Sequence, residues 1–157
     1  MESNLHFELL KTNGKIVYSD LPVIDADFTH MWQMFANLIS NSLKYKRDGV
    51  DSVVNITAEN RTKEGVVRLV ISDNGLGFSD EDAKIIFDKF SRLNDGDAVE
   101  DSYGIGLSTV FQIVESHRGV ISAVGRVDQG ADFIVELPLA QEKKSAKSVL
   151  VESRRVS

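Results

Sequence analysis

The feature that most constrains this fold is the order in which helical and extended periodicities alternate along the chain. Apolar residues recur at helical spacing over residues 28–44 and again over 106–117, and short runs of strand character lie before, between and after them. Several consecutive strand-like runs are separated by only a few polar or glycine-containing residues. Hairpins rather than helical crossovers should therefore connect these strands. The predicted strands are His6–Leu10, Ile16–Tyr18, Val53–Ala58, Val66–Ile71, Val120–Val124 and Phe133–Leu137. This order predicts an α+β fold, a two-layer sandwich of a mixed, mainly antiparallel sheet with helices on one face.

The connections and the end of the chain have less regular patterns. Asn13-Gly14, between the first two predicted strands, is typical of a two-residue hairpin turn. A short helix is predicted over Asp80–Phe90, and the polar, acidic residues 91–105 that follow have no period and indicate a loop. We expect residues 1–140 to form one domain and residues 141–157, which are charged or small, to form a tail or linker.

Composition limits the classes of partner. The 157 residues carry a net charge of −6, which argues against nucleic acid because phosphate backbones are bound mainly by clustered Lys and Arg. The chain has no cysteine, which excludes disulfides, zinc–thiolate sites and thiol nucleophiles. No apolar run approaches the roughly 20 residues that a membrane-spanning helix needs. We therefore expect a soluble, cytoplasmic chain, whereas a parent protein could be soluble or membrane-anchored.

One arc of the first long helix is polar. At about 100° per residue, Asn37, Asn41 and Lys44 fall in a narrow arc beside an apolar face, and Asp27 or Thr29 could cap the start of the helix. Amide oxygens are neutral, hard ligands of the kind that Mg²⁺ accepts, so this arc could hold a metal and the phosphates that it bridges. The alternative interpretation is an ordinary solvated face.

Two glycine segments are candidates for phosphate or base recognition. Gly104-Ile105-Gly106-Leu107-Ser108 opens the second long helix, where free amides and a closely approachable backbone favour an anion. Asp73-Asn74-Gly75-Leu76-Gly77-Phe78 follows a strand, and Asp73 could accept a hydrogen bond from the exocyclic amine of adenine or could simply serve a turn. Neither segment matches a Walker A loop or a dinucleotide-binding fingerprint.

Taken together, five segments resemble the conserved boxes of the catalytic domains of sensor histidine kinases. In order, residues 37–45 resemble the N box, 73–78 the G1 box, 86–94 the F box, 104–108 the G2 box and 129–133 the last glycine box. The likeness covers residues from about 5 to 139. It implies the fold shared by gyrase-type ATPases and related chaperones, and a domain that binds MgATP and transfers the γ-phosphoryl group to a histidine on a separate dimerisation domain.

The resemblance implies which residues meet the phosphates. Asn41 would bind Mg²⁺, and Asn37 would support it or the phosphates. Lys44 resembles the phosphate-contacting base of the N box, and Arg92 resembles the F-box arginine that meets the γ-phosphate. Asn37, Lys44 and Arg92 are therefore the predicted catalytic set.

The resemblance also implies which residues hold the rest of the nucleotide. Tyr45 would pack against adenine, and Asp73 would accept a hydrogen bond from its N6 amine. The other residues of the predicted ATP site are Gly75, Gly77, Phe87, Gly104, Gly106, Leu107, Ser108 and Gly130. Arg118 departs from the pattern, because the family usually has a glycine there.

The identity of residue 37 separates the kinase from the other activities of the superfamily. Hydrolytic members usually place a glutamate base one turn before the metal-binding Asn, and an Asn37 amide cannot act as a base at neutral pH. None of His6, His30 and His117 lies in a sequence that resembles a phosphoacceptor box. The expected partners are ATP, the histidine-bearing dimerisation helices of a parent kinase and, indirectly, a response regulator; the chain itself should be monomeric and the parent a homodimer. The alternatives are a non-catalytic nucleotide-binding module and a hydrolytic ATPase of the same superfamily.

Overall fold

The computed structural model describes residues 2–88 and 106–141, and its centre is a five-stranded sheet. The strands are β1 (Lys15–Tyr18), β2 (Val53–Arg61), β3 (Val66–Asp73), β4 (Val120–Arg126) and β5 (Gly130–Pro138). They lie in the order β1-β2-β3-β5-β4. The pair β1–β2 is parallel and the other three pairs are antiparallel, which confirms the predicted mixed, mainly antiparallel sheet.

Helices cover one face of this sheet. They are α1 (Glu2–Lys11), α2 (Phe28–Lys44), the single turn α3 (Asp80–Ala83) and α4 (Gly106–Ser116), and a short 3-10 turn joins β2 to β3. The two long helices begin and end close to the predicted positions. Asp27 is the N-cap of α2, as one of the two predicted alternatives, and its carboxylate accepts the His30 N–H at 2.9 Å.

The core lies between the sheet and α2 and α4. Alternate residues of β3 and β5 are buried, among them Ile71 and Phe133, because successive side chains of a strand point to opposite faces. Met34 and Leu38 of α2 and Val110 of α4 are fully buried against them. The other residues of β3 and β5 remain partly exposed on the far side, so the predicted two-layer architecture is confirmed.

The predicted first hairpin is wrong, because residues 6–10 belong to helix α1. Leu5 and Leu9, one helical turn apart, pack side by side against the core. Asn13 has a φ of 49° and ends the helix: its N–H bonds the carbonyl of Leu10, and the Gly14 N–H bonds that of Leu9 at 2.8 Å. These two bonds form a Schellman cap. The left-handed Asn that suggested a hairpin turn therefore closes a helix instead.

The predicted helix over Asp80–Phe90 is shorter than expected. After α3 the chain continues as turns closed by bonds between residues three apart, such as Ile85 N–H to Asp82 O at 3.1 Å. This tighter winding lets the consecutive residues Ile86 and Phe87 both pack against the core. Residues 89–90 and the predicted loop over 91–105 lie outside the described residues, as does the tail after residue 141.

Candidate nucleotide-binding site

The polar arc of α2 faces the beginning of α4. The Asn37 side-chain amide donates to the carbonyl of Gly106, the first residue of α4, at 3.4 Å. Asn41, one turn further along, is partly buried and has no side-chain hydrogen bond to the described part of the chain. The predicted N-box and G2-box residues therefore meet where Asn37 bonds the first residue of α4.

Asp73, at the end of β3, lies next to helix α2. Its carboxylate accepts the Gly75 N–H at 2.9 Å. The buried Ser42 hydroxyl donates to the Leu38 carbonyl at 3.0 Å and lies close enough to the carboxylate to influence its pKa. Since Ser42 directly follows Asn41, Asp73 lies close to the C-terminal half of the helix that carries the amide row.

The environment of Asp73 raises its pKa. Burial is the largest cause, because removing a carboxylate from water disfavours the charged form. The neighbouring Gly75 N–H, Ser42 hydroxyl and Ala131 N–H favour the charged form and oppose this effect, and the charge of Asp132 adds to it. An acceptor that is buried and still hydrogen-bonded is held in one orientation, which suits recognition of a base edge.

The glycines of the G1 and last glycine boxes are required by contacts within the protein. A Cβ on Gly75 would clash with the Tyr45 carbonyl, and one on Gly77, whose φ is +65°, would clash with the Arg126 carbonyl. Gly130 has a φ of +113°, and a Cβ there would clash with the Asp73 carbonyl. Three backbone segments thus approach one another around Asp73, and these glycines permit the close contacts that hold Asp73 in its position.

Asn74 and Arg47 fix the neighbouring loop, although no sequence pattern had singled out either side chain. The Asn74 amide accepts the Val53 N–H at 2.9 Å and donates to the Asp51 carbonyl at 3.0 Å, as a backbone peptide would. Arg47 Nε donates to the Asn74 carbonyl at 2.8 Å, and the Leu76 N–H bonds the Tyr45 carbonyl at 2.9 Å. The segment after Asp73 is therefore tied to the end of α2.

Three more predicted site residues pack against the core around α4. The Phe87 ring lies 6.1 Å from that of Phe111 and 6.3 Å from that of Phe133, measured between centroids. Leu107 is partly buried against the same cluster, and Ser108 is buried. Phe87 and Leu107 thus position the start of α4. Gly106 itself is exposed, and outside its own helical turn no atom of residues 2–88 or 107–141 lies within 4 Å of an added Cβ. Arg92 and Gly104 lie outside the described residues.

Lys44 has an acidic neighbour that the sequence did not suggest. Its Nζ lies 3.9 Å from Glu8 Oε1 of α1, and the side chains are 24% and 21% exposed. The predicted contact of Lys44 with phosphate remains a prediction, as does that of Tyr45 with adenine.

Within residues 2–88 and 106–141, no group of three or more His, Asp, Glu or Cys side chains is arranged to hold a metal ion. The amide oxygen of Asn41 fits Mg²⁺, which accepts a single neutral oxygen ligand and keeps several waters. Among the helices of the same described ranges, none is long and apolar enough to cross a membrane.

Comparison with known proteins agrees with this geometry. The family described as histidine kinase-, DNA gyrase B- and HSP90-like ATPase matches residues 26–141. Sensor protein RprX of Bacteroides fragilis is 39% identical over 132 residues, which are 81% of this chain and 25% of that protein. The chain spans about a third or less of the length of such curated relatives.

Solved structures of histidine kinases are also similar to this chain. Full-length ShkA in complex with AMPPNP is 26% identical with a TM-score of 0.72, over 89% of this chain and 28% of that one. The catalytic domain of histidine kinase ThkA is 25% identical with a TM-score of 0.70, over 88% of this chain and 87% of that one. The chain therefore belongs to the histidine kinase-, DNA gyrase B- and HSP90-like ATPase family and is an ATP-binding catalytic domain of the histidine kinase type.

Proposed function

We propose that this domain binds MgATP between α2, Asp73 and the start of α4, and passes the γ-phosphoryl group to a histidine on a separate dimerisation domain. The observation that carries the proposal is the adjacency of the Asp73 carboxylate, the Asn37–Asn41 amide row and the first residue of α4. A nucleotide is polar at both ends, and this region offers an acceptor for the base at one end and amide groups for the phosphates at the other.

At the base end, Asp73 accepts the N6–H of adenine. Guanine carries an oxygen at that position, so a carboxylate acceptor discriminates against it. Tyr45, whose carbonyl is fixed by the Leu76 N–H, packs against the ring. Gly75, Gly77 and Gly130 permit the close backbone packing that holds Asp73 in place for its contact with adenine.

At the phosphate end, Asn41 would hold Mg²⁺ through its amide oxygen, with Asn37 beside it. The metal would supply charge neutralisation for the phosphates. Lys44 and Arg92 add positive charge, and the backbone N–H groups around Gly106, Leu107 and Ser108, with Gly104 before them in the sequence, meet phosphate oxygens at the positive end of α4.

Two described residues, Asn37 and His117, argue against hydrolysis and against phosphorylation of the chain by itself. Asn37 carries no base, and its amide already bonds Gly106. His117 is buried, with Nδ1 bonded to the Ile113 carbonyl at 2.8 Å and Nε2 accepting the Asp27 N–H at 3.2 Å, so it has no free nitrogen for attack. We infer that the acceptor is a docked histidine of dimerisation helices. The domain is then cytoplasmic, in a homodimeric parent, soluble or membrane-anchored, that serves a response regulator. Residues 1–140 are the domain, and 141–157 a tail or linker.

Calorimetric titration tests the base end. The chain should bind a non-hydrolysable ATP analogue in the presence of Mg²⁺, and Asp73→Asn should weaken binding about 10- to 100-fold, because it replaces an acceptor with an amide that offers a donor as well. Equal affinity for ATP and GTP would show that Asp73 does not select the base.

Radiolabelled ATP tests the transfer. With a histidine-bearing helical dimer from the same parent, we expect label on the dimer. Hydrolysis without the dimer would identify a hydrolytic ATPase, and binding without transfer would identify a non-catalytic nucleotide module.

A further inference from the structure

Glu8 on α1 is a charged residue that the proposed reaction does not use. Its Oε1 lies 3.9 Å from Lys44 Nζ, and its Oε2 is buried without a hydrogen-bond partner in the described part of the chain. A half-buried carboxylate with one unsatisfied oxygen is poorly solvated, which makes its charge costly unless a cation lies nearby. Lys44 is therefore the cation that compensates it.

Packing holds this carboxylate in place. Leu9, the residue after Glu8, belongs to the partly buried set that packs on the core, and the turn after α1 meets the last turn of α2 so closely that a Cβ on Gly14 would lie 2.8 Å from Leu43 Cδ2. The Thr12 hydroxyl bonds the Glu8 carbonyl at 2.8 Å and stiffens the end of α1. Glu8 is thus fixed beside the end of α2, where Lys44 is the last helical residue.

Lys44 also belongs to the polar arc of α2. Seven residues after Asn37, it lies about 20° from it on a helical projection, whereas its neighbour Leu43 lies on the side that meets α1. A lysine has a long flexible stem with a single charged end. Its ammonium can therefore reach the phosphate side or Glu8, and these two anions compete for it.

We propose that Glu8 is a positioning residue that holds Lys44 beside α1 and thereby lowers the affinity of the site for the triphosphate. This inference rests on the proposed contact between Lys44 and the phosphates. Removing the carboxylate frees the ammonium and also removes a negative charge near the phosphates, so both effects tighten ATP binding. The gain should be about two- to fivefold, the range of partly exposed ion pairs, and should vanish for adenosine, which carries no phosphate.

Calorimetry on the whole chain provides the test. Wild type, Glu8→Gln and Glu8→Ala are titrated with AMPPNP, ADP and adenosine in the presence of Mg²⁺, at low and at high salt. Glu59→Gln is the matched control: it removes the same charge from an exposed side chain on β2 that pairs with Arg61. The Glu8 variants should bind AMPPNP about two- to fivefold tighter, ADP less so and adenosine unchanged, and the gain should shrink at high salt.

A double-mutant cycle completes the design. In a Lys44→Met background, Glu8→Gln should no longer tighten AMPPNP binding. The inference is overturned if Glu8→Gln leaves AMPPNP affinity unchanged, weakens it, shifts adenosine equally or acts without Lys44. Absence of AMPPNP binding by wild type would instead refute the proposed function, and thermal unfolding of each variant confirms that it is folded.

Discussion

Replacing Gly130 with alanine tests whether this glycine contacts the nucleotide or supports the backbone of Asp73. Gly130 has a φ of +113°, which side chains other than glycine rarely adopt, and an added Cβ would clash with the Asp73 carbonyl. The backbone conformation costs roughly 1–2 kcal/mol, and forcing apart two packed backbone segments costs about 1–3 kcal/mol more. Gly130→Ala should thus lower the free energy of unfolding by about 2–5 kcal/mol, and the melting temperature by about 5–15 °C for a chain of this size.

Gly49→Ala is the control that isolates the conformational part. Gly49 has a φ of +72°, but nothing lies within 4 Å of its added Cβ, so only the first cost applies. Urea unfolding of both variants gives the packing cost by difference, and titration with AMPPNP well below the melting temperature gives the effect on the site. If Gly130→Ala were no less stable than Gly49→Ala and yet lost AMPPNP binding, Gly130 would contact the nucleotide itself and the supporting role assigned here would be refuted.

Two further predictions concern stability. Arg118 has a φ of 59° at the end of α4, so Arg118→Gly should be more stable than Arg118→Ala by about 1 kcal/mol. Both variants lose the guanidinium group, so its contribution cancels in the comparison. Equal midpoints in urea unfolding would contradict this prediction. Because burial raises the pKa of Asp73 above 3.8, the folded state binds this proton more tightly than the unfolded chain, and the associated stability is lost as the pH rises from below 3.8 through the raised pKa. The stability of Asp73→Asn relative to wild type should therefore increase over that interval, and a constant difference in pH-dependent unfolding would refute the assigned burial.

The long helices and the sheet could be predicted because their periodicity extends over many residues. In α2, the apolar face and the Asn37–Asn41 arc are separated consistently over 17 residues, and only a helix accommodates that spacing. Strand ends were less accurate. Ser72 and Asp73 continue the β3 ladder opposite Asp132 and Ala131, although polar residues at that position resemble the start of a loop.

Helix α1 could not be predicted because its strongest local motif has two solutions. Asn13-Gly14 satisfies a hairpin turn and a Schellman cap equally well, since both place an asparagine at positive φ. Leu5 and Leu9, four residues apart, would share one face of a helix or of a strand, so the choice depends on the tertiary packing of α1 against the core. The error had a consequence for the site: Glu8, read as part of a strand, could not be recognised as a neighbour of Lys44.

The glycines show why a motif can identify a site without revealing how it works. A glycine is needed wherever a backbone must come closer than a Cβ allows, and the sequence does not record what approaches it. At Gly75, Gly77 and Gly130 the approaching groups are carbonyls of Tyr45, Arg126 and Asp73. The same three residues therefore bring the end of α2, the β4–β5 turn and the end of β3 together, and Asp73 lies where they meet. If Asp73 meets a flat base edge as proposed, it needs such a rigid support more than it needs glycines against the nucleotide, and this accounts for a glycine pattern whose members need make no contact with the ligand.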